Sequence, residues 1–459
     1  MPSRRTLLLG APPVLAGLLA SPALLLTACA NAPTAMPSLA DRPPIVFVHG
    51  NGDSAALWQT TLWRFESNGW PRARLFAFDQ PLPQARDDDA VAQAGRSSTA
   101  ESAAFLKEKV EQVLRATGAT RVVLIGNSRG GNTIRNYVQN GGGAAVVSHV
   151  VLGGNPAHGI WAVPGLRENN EFSGLSPFMR QLNAPKGPNG DEVTPGVKWL
   201  TLRSDNNDKF AQPDGLWIGS PGKPTNIGFD GPALKGATNT VLPRVDHRET
   251  SFSPAAFAAT WRFLTGEAPR SLEIAREAGP VLDGRAIGAE NQSLAGAQVL
   301  VYAVDPATGR RLGEPVHRKT VGADGRWGPF NARADAAYEF VLDTQAGVTH
   351  IYRSPFPRGS SLVNLRLDPL VPADGSANAV VVFTRPRGYF DAQRDTLRFD
   401  GKSPPAGVPP QGAGVSSSRL RETRSEPQRA VTGEFNGERL TGLTWPAAQR
   451  HVTVLELTY

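Results

Sequence analysis

Between Pro44 and Gly266 the chain alternates short, continuous apolar runs with stretches of helical periodicity, and this alternation constrains the fold more than any other feature. The runs are residues 45–48, 75–78, 122–125, 149–152, 197–202 and 240–245. A strand that is apolar at successive positions is covered on both faces, which is the condition of a parallel sheet between helical layers. One helix is expected where Ser98 and Glu101 form a capping box ahead of Leu106, Val110, Val113 and Leu114. Another is expected from Ser253 and Pro254, a cap followed by proline at the first helical position, with Phe257, Trp261 and Leu264 inward and Gly266 as its stop. Residues 156–196 and 206–239 are too long for simple turns, and connections of that length inside a domain are usually lids or binding segments.

Beyond Pro269 the helical period disappears. Short alternating strands and turn signals such as Asp305-Pro306-Ala307-Thr308-Gly309 and Ala323-Asp324-Gly325 take over. The expected architecture is an α/β region over residues 42–268 with helices on both faces of its sheet, followed by one or two β-sandwich-like modules. Their boundaries are placed at 269–368 and 369–459, with residues 369–375 as a linker.

The N-terminus reads as a targeting segment. Arg4 and Arg5 precede an apolar stretch broken by Pro12, Pro13 and Pro22, and small residues lead to Cys29. Paired arginines resemble a twin-arginine signal, and the run into Cys29 resembles a lipoprotein processing site. Residues 1–28 are therefore expected to be a signal peptide, Cys29 the lipidated residue and 29–41 a tether. The expected destination is the cell envelope, as a membrane-anchored lipoprotein that is periplasmic or on the surface, with release as a secreted protein as the alternative. Cys29 is the only cysteine, so no disulfide within the chain can form. With 48 Lys and Arg against 41 Asp and Glu, the basic excess is small and spread out, which excludes a nucleic-acid partner.

After the run 122–125 comes Gly126-Asn127-Ser128-Arg129-Gly130, followed by a helical pattern. This is G-x-S-x-G at a strand-to-helix turn, where small neighbours allow the strained backbone that lifts a serine hydroxyl above a sheet. The first run ends in Val48-His49-Gly50-Asn51-Gly52, at the strand position that supplies an oxyanion-hole amide in acyl-transfer enzymes of this architecture. Backbone N–H groups of Asn51 and Arg129 are the candidates for that hole, and His49 is expected to be structural. A base must follow the last sheet strand and precede the closing helix, a place held by His247. The acid should follow the preceding strand, in Ser204-Asp205-Asn206-Asn207-Asp208. Asp208 is preferred because extra residues past the strand let its carboxylate turn back toward His247; Asp205 is the alternative, and Asp79 a weaker third. No metal site and no cofactor are expected.

These residues make the chain resemble the α/β-hydrolase superfamily over roughly residues 42–266, and within it the small bacterial lipases and esterases. Lipases more often carry histidine before the nucleophile, where this chain has Asn127. The β-rich extension is similar to the lipid-binding C-terminal domain of some archaeal lipases. The resemblance implies a serine hydrolase acting on carboxylic esters through an acyl-enzyme, with Ser128 as nucleophile, His247 as base and Asp208 or Asp205 as acid. Its substrate partner would be a small-molecule, lipid or polymer ester, and its membrane partner would be reached through the N-terminal lipid. A polyester depolymerase of the polyhydroxyalkanoate type and a non-catalytic surface-attached binding protein are the alternatives. Since every catalytic candidate precedes Gly266, the extension is expected to dock substrate and to add nothing to the chemical step, so a chain ending near Ala268 should keep activity on a soluble ester.

Overall fold

The structure is a computed structural model that describes residues 42–423 and 428–459. The expected signal peptide (1–28), Cys29 and the tether to residue 41 lie outside the described residues. Among the described residues, six strands form a wholly parallel sheet: β1 (Ile45–Val48), β2 (Leu75–Ala77), β3 (Val122–Asn127), β4 (Val147–Gly153), β5 (Lys198–Ser204) and β6 (Thr238–Leu242). Their order across the sheet is β2-β1-β3-β4-β5-β6. Within β1, Ile45 and Phe47 pack with Phe65, Phe257 and Trp261 on one face. Val46 and Val48 pack with Leu106, Val110 and Ile134 on the other. Both pleats of β1 are thus buried, as are those of β3, the physical reason these strands read as unbroken apolar runs, whereas the edge strand β6 is mostly exposed.

The flanking helices are α1 (Gln59–Ser67), α2 (Thr99–Thr117), α3 (Arg129–Asn140), α4 (Pro177–Asn183), α5 (Glu249–Phe252) and α6 (Pro254–Thr265). The capping box of α2 is formed, with Ser98 Oγ accepting from the Glu101 amide and the Glu101 carboxylate accepting from the Ser98 amide. In α6, Ser253 accepts from the Ala256 amide and Gly266 closes the helix at a φ of 80°. The sixth strand ends at Leu242, three residues before the expected end. Pro243 cannot donate to a ladder and Arg244 turns away at a φ of 55°.

The β-rich half corrects the expected boundary at residue 369. Its strands of three or more residues are β7 (Gln298–Val304), β8 (His317–Thr320), β9 (Ala337–Thr344), β10 (Gly347–Arg353), β11 (Ala379–Thr384), β12 (Leu397–Phe399), β13 (Ser417–Glu422), β14 (Ala430–Phe435), β15 (Glu438–Leu443) and β16 (His451–Glu456). Seven form one sheet in the order β8-β7-β9-β10-β16-β11-β13, and β12-β14-β15 form a smaller one. The last strand, β16, lies parallel between β10 and β11, so the two expected modules share one sheet. The expected linker is anchored: the buried carboxylate of Asp374 accepts from the guanidinium groups of Arg419 and Arg421.

The hydrolase-like and β-rich halves also share a core. Trp63 of α1 is 1% exposed and packs with Leu282, Trp327 and Phe356, while its indole N–H donates to the Gly359 carbonyl. Arg64, also buried, donates to the carbonyls of Leu272 and Phe252. A chain cut after Ala268 would expose this face, and losing the burial of one large aromatic alone costs about 1.5–3 kcal/mol. Such a fragment is expected to aggregate and to lose activity on soluble and emulsified substrates together, which replaces the expectation of a self-sufficient 42–268 unit. Gel filtration and circular dichroism check this, and a monodisperse, folded fragment would contradict it.

Candidate active site

The G-x-S-x-G segment forms the sharp turn expected of it. β3 ends at Asn127, α3 starts at Arg129, and Ser128 between them has φ 51° and ψ −124°. A non-glycine residue held there stores about 1–3 kcal/mol of strain. The surroundings hold it: the Ser128 amide donates to the Gly153 carbonyl at 3.0 Å, and Asn155 Nδ2 donates to the Ser128 carbonyl at 3.1 Å. Gly130 is required by close approach, since a Cβ there would overlap the Val48 and His49 carbonyl oxygens. The same crowding brings the β1 turn against the elbow, with a Cβ on Gly50 falling 3.0 Å from that of Ser128.

His247 sits in the loop between β6 and α5, and Asp208 in the loop after β5. Imidazole Nδ1 lies 2.9 Å from each carboxylate oxygen of Asp208, and both side chains are buried. An ionised carboxylate only accepts, so Nδ1 carries the proton and Nε2 presents a lone pair. Nε2 is buried and has no hydrogen-bond partner. His247 and Ser128 line the same cavity, of about 280 Å³. The ring of Phe210 stands edge-on to the imidazole at 4.6 Å between centroids, fixing its tilt.

The other candidates are placed elsewhere. The Asp205 carboxylate accepts the Arg244 amide at 2.8 Å. Asp79 accepts from the Ala55 amide and pairs with Arg285. His49 is a turn element, as expected: its Nε2 accepts from the Gln80 amide at 3.0 Å, its Nδ1 faces the Gly50 carbonyl, and burial holds the ring below the usual imidazole range.

Asn51 lines the cavity, and its side chain is tied down by Gln84 and the Ala85 amide. Arg129 contributes more than the amide read from the sequence. Its buried guanidinium donates to Glu171 at 2.7 Å, to the Pro83 carbonyl and to Ser97, joining the elbow helix to segments whose neighbouring residues line the cavity. Burial pushes the Glu171 carboxyl up, and Arg129 works against that shift. Asn127, in the position where lipases more often have histidine, donates to the His247 carbonyl and to Ser251, binding the elbow to the histidine loop.

The long connections supply the apolar wall, Ile160, Trp161, Phe172 and Phe210, while Asp87, Arg96 and Asn170 line a polar side. The first connection is pinned by His158, whose Nε2 lies 2.9 Å from Glu192 and whose Nδ1 lies 2.9 Å from the Gly231 carbonyl. The bond to Glu192 raises His158 above its ordinary value, against desolvation. Burial alone would raise Glu192, yet His158 and the Lys235 amide leave it lowered. A raised histidine contributes stability below its ordinary pKa of 6.5 and loses it as pH climbs through the raised value. The melting-temperature gap between wild type and His158→Gln should therefore be larger at pH 6 than at pH 9, and a constant gap would contradict the pairing.

The β-rich half, expected to dock substrate, contributes a residue to the cavity itself. Tyr389, in the loop after β11, lines the cavity with Ser128 and His247. Arg248 lies over its ring at 4.9 Å, and burial pushes its phenol up to about 12, so the hydroxyl stays protonated. Sequence patterning carries no signal for this contact, because the partners are some 140 residues apart.

Residues 43–213 match the family model of the alpha/beta hydrolase fold. The fold is that of an α/β-hydrolase sheet with helices on both faces, followed by a β-rich C-terminal region. Within the latter, residues 280–370 match the family model of the lipase C-terminal domain. Among solved structures, the chain is similar to Aspergillus fumigatus lipase B, at 16% identity and a TM-score of 0.35, over 52% of this chain and 57% of that one. It therefore spans a little over half the length of that protein. It is also similar to Bacillus licheniformis lipase BlEst2 in its mature form, at 21% identity and a TM-score of 0.33, over 51% of this chain and 96% of that one. The propeptide form of that lipase aligns over 90% of this chain and 95% of its own, at 16% identity and a TM-score of 0.35. No curated protein matches. Among the described residues no group of three or more His, Cys, Asp or Glu is arranged to hold a metal ion, and no helix is long and apolar enough to cross a membrane.

Proposed function

We propose that the protein is a serine hydrolase that cleaves carboxylic esters through an acyl-enzyme. The observation that carries the reading is the bare Nε2 of His247, backed by Asp208 through Nδ1, in one cavity with a serine on a strained strand-to-helix turn. His247 Nε2 takes the proton of the Ser128 hydroxyl as its oxygen bonds to the ester carbonyl carbon. The resulting oxyanion is held by the N–H groups of Asn51 and Arg129, the second at the N-terminus of α3. The imidazolium returns the proton to the departing alkoxide. Water then repeats the sequence on the acyl-enzyme, with His247 again as base. Asp208 keeps Nδ1 protonated and stabilises the imidazolium. The apolar wall of Ile160, Trp161 and Phe172 and the match to a lipase C-terminal domain support an acyl ester as substrate. Treatment with a fluorophosphonate, followed by peptide mass spectrometry, should find the label on Ser128, and a panel of p-nitrophenyl esters should show turnover. Label on another residue, or none, overturns the reading.

Export and anchoring belong to the same proposal: Cys29 becomes the N-terminus after cleavage and carries the lipid. Cys29→Ser should leave the protein either uncleaved or soluble, since several acyl chains hold a membrane where a single chain holds only marginally. A mature N-terminus other than Cys29 in the wild type would count against it.

A further inference from the structure

The loop that carries His247 is held by the β-rich half as well as by Asp208. Asp246, the residue before it, is fully buried. Its Oδ1 accepts the amides of Arg248 and Glu249, which starts α5. Its Oδ2 accepts from Arg385 Nη1 at 2.8 Å and from the Tyr389 amide at 2.7 Å. Arg385 is itself 4% exposed and donates a second time, from Nη2, to Glu249 at 2.5 Å. Arg394 also pairs with Glu249 and donates to the Arg244 carbonyl at 2.9 Å. The buried carboxylate of Asp246 and the half-buried one of Glu249 at the start of α5 thus meet two guanidinium groups from the segment after β11. A carboxylate that accepts four donors can neither rotate nor shift without leaving charges unpaired in a low-dielectric interior. His247 is the next residue in the chain after that fixed side chain, and Asp208 holds its ring at the other end.

Resting on the serine-hydrolase reading, we propose that Arg385 is a positioning residue of the active site: by holding the Asp246 carboxylate it sets the backbone from which His247 reaches toward Ser128. The C-terminal half is on this account part of the catalytic apparatus as well as a wall of the cavity. Misplacing a reacting group by about an ångström can cost on the order of a hundredfold in rate, and the loss should fall on the step in which His247 moves a proton.

The test uses the full chain and the variants Arg385→Gln, Arg385→Lys, Asp246→Asn and the Arg385→Gln/Asp246→Asn pair. It measures kcat and KM on p-nitrophenyl butyrate and the rate of Ser128 phosphonylation. Each of the two neutralising single variants should lower kcat by about ten- to a hundredfold with KM within about twofold, and phosphonylation should slow in parallel. The double variant should be no slower than the slower single, because both singles already remove the shared Asp246–Arg385 contact, and Arg385→Lys should recover part of kcat. Wild-type kcat in folded variants, losses that multiply in the double variant, or a change confined to KM overturns the proposal. Should Arg385→Gln lose the native circular-dichroism spectrum, the isosteric Asp246→Asn decides by the same criteria. A wild type inert to both ester and phosphonate overturns the hydrolase reading and this proposal with it, whereas an active wild type with unaffected variants overturns the positioning role alone.

Discussion

Ser128→Ala is expected to lower kcat/KM on p-nitrophenyl butyrate by about 10⁴- to 10⁶-fold and to abolish phosphonate labelling. The covalent route disappears with the hydroxyl, and what persists is the contribution of binding and of the oxyanion-hole amides. The fold should not notice. Alanine keeps the Cβ that already sits at a φ of 51°, and the backbone bonds to Gly153 and Asn155 are made by main-chain atoms of residue 128. Ser128→Gly sharpens the test, because glycine occupies that region without steric cost. It should be as inactive as the alanine variant and yet melt about one or two degrees higher, the signature of strain stored at a working residue. Retained turnover in either variant would remove Ser128 from the chemistry.

How far a site can be read from sequence depends on whether its residues are constrained locally. The elbow was legible because its geometry demands small residues at fixed offsets, and Gly130 has no room for a side chain beneath the Val48 carbonyl. The place of His247, in a loop after the last strand and before the closing helix, was legible through chain order, and the structure brings it against Asp208. Asp208 and Asp205 could not be separated with the same certainty, because the difference lies in how the loop folds back. There the Asn207 amide donates to Ser204 Oγ at 3.0 Å, closing a turn that points Asp208 at the imidazole and leaves Asp205 on the Arg244 amide.

The β-rich half was harder to read, for three physical reasons. Strand β10 carries His350, which looks like a surface residue but is buried against the Glu339 carboxylate at 2.7 Å, so the alternation of apolar and polar positions fails there. Strand β16 joins the middle of a sheet whose other members lie earlier in the chain, and strand order of that kind leaves no mark on local pattern. The contact of Asp246 with Arg385 likewise spans 139 positions, between two residue types that are ordinarily exposed. Buried ionic groups are the places where composition misleads most.

Asp208→Asn should lower kcat by on the order of 10³- to 10⁴-fold with KM little changed, whereas Asp205→Asn should stay within about threefold of wild type. Both oxygens of Asp208 stand 2.9 Å from Nδ1, so whichever way an amide is turned it can present its NH₂ group to that nitrogen. An NH₂ there bonds to the tautomer with Nδ1 bare and the proton on Nε2, which removes the lone pair that must receive the Ser128 proton. The imidazolium formed during attack also loses its countercharge, and both side chains of the pair are buried. Asp205 has no such role: its Oδ1 accepts the Arg244 amide, and an asparagine carbonyl can accept the same bond. The two variants differ from wild type by the same isosteric change three residues apart in one loop, so a general disturbance of the loop would weaken both alike. Comparing kcat for the pair, with native circular dichroism for each, isolates the tautomer effect. A dead Asp205→Asn enzyme beside an active Asp208→Asn enzyme would mean that the loop rearranges when substrate binds and that the acid is the other carboxylate.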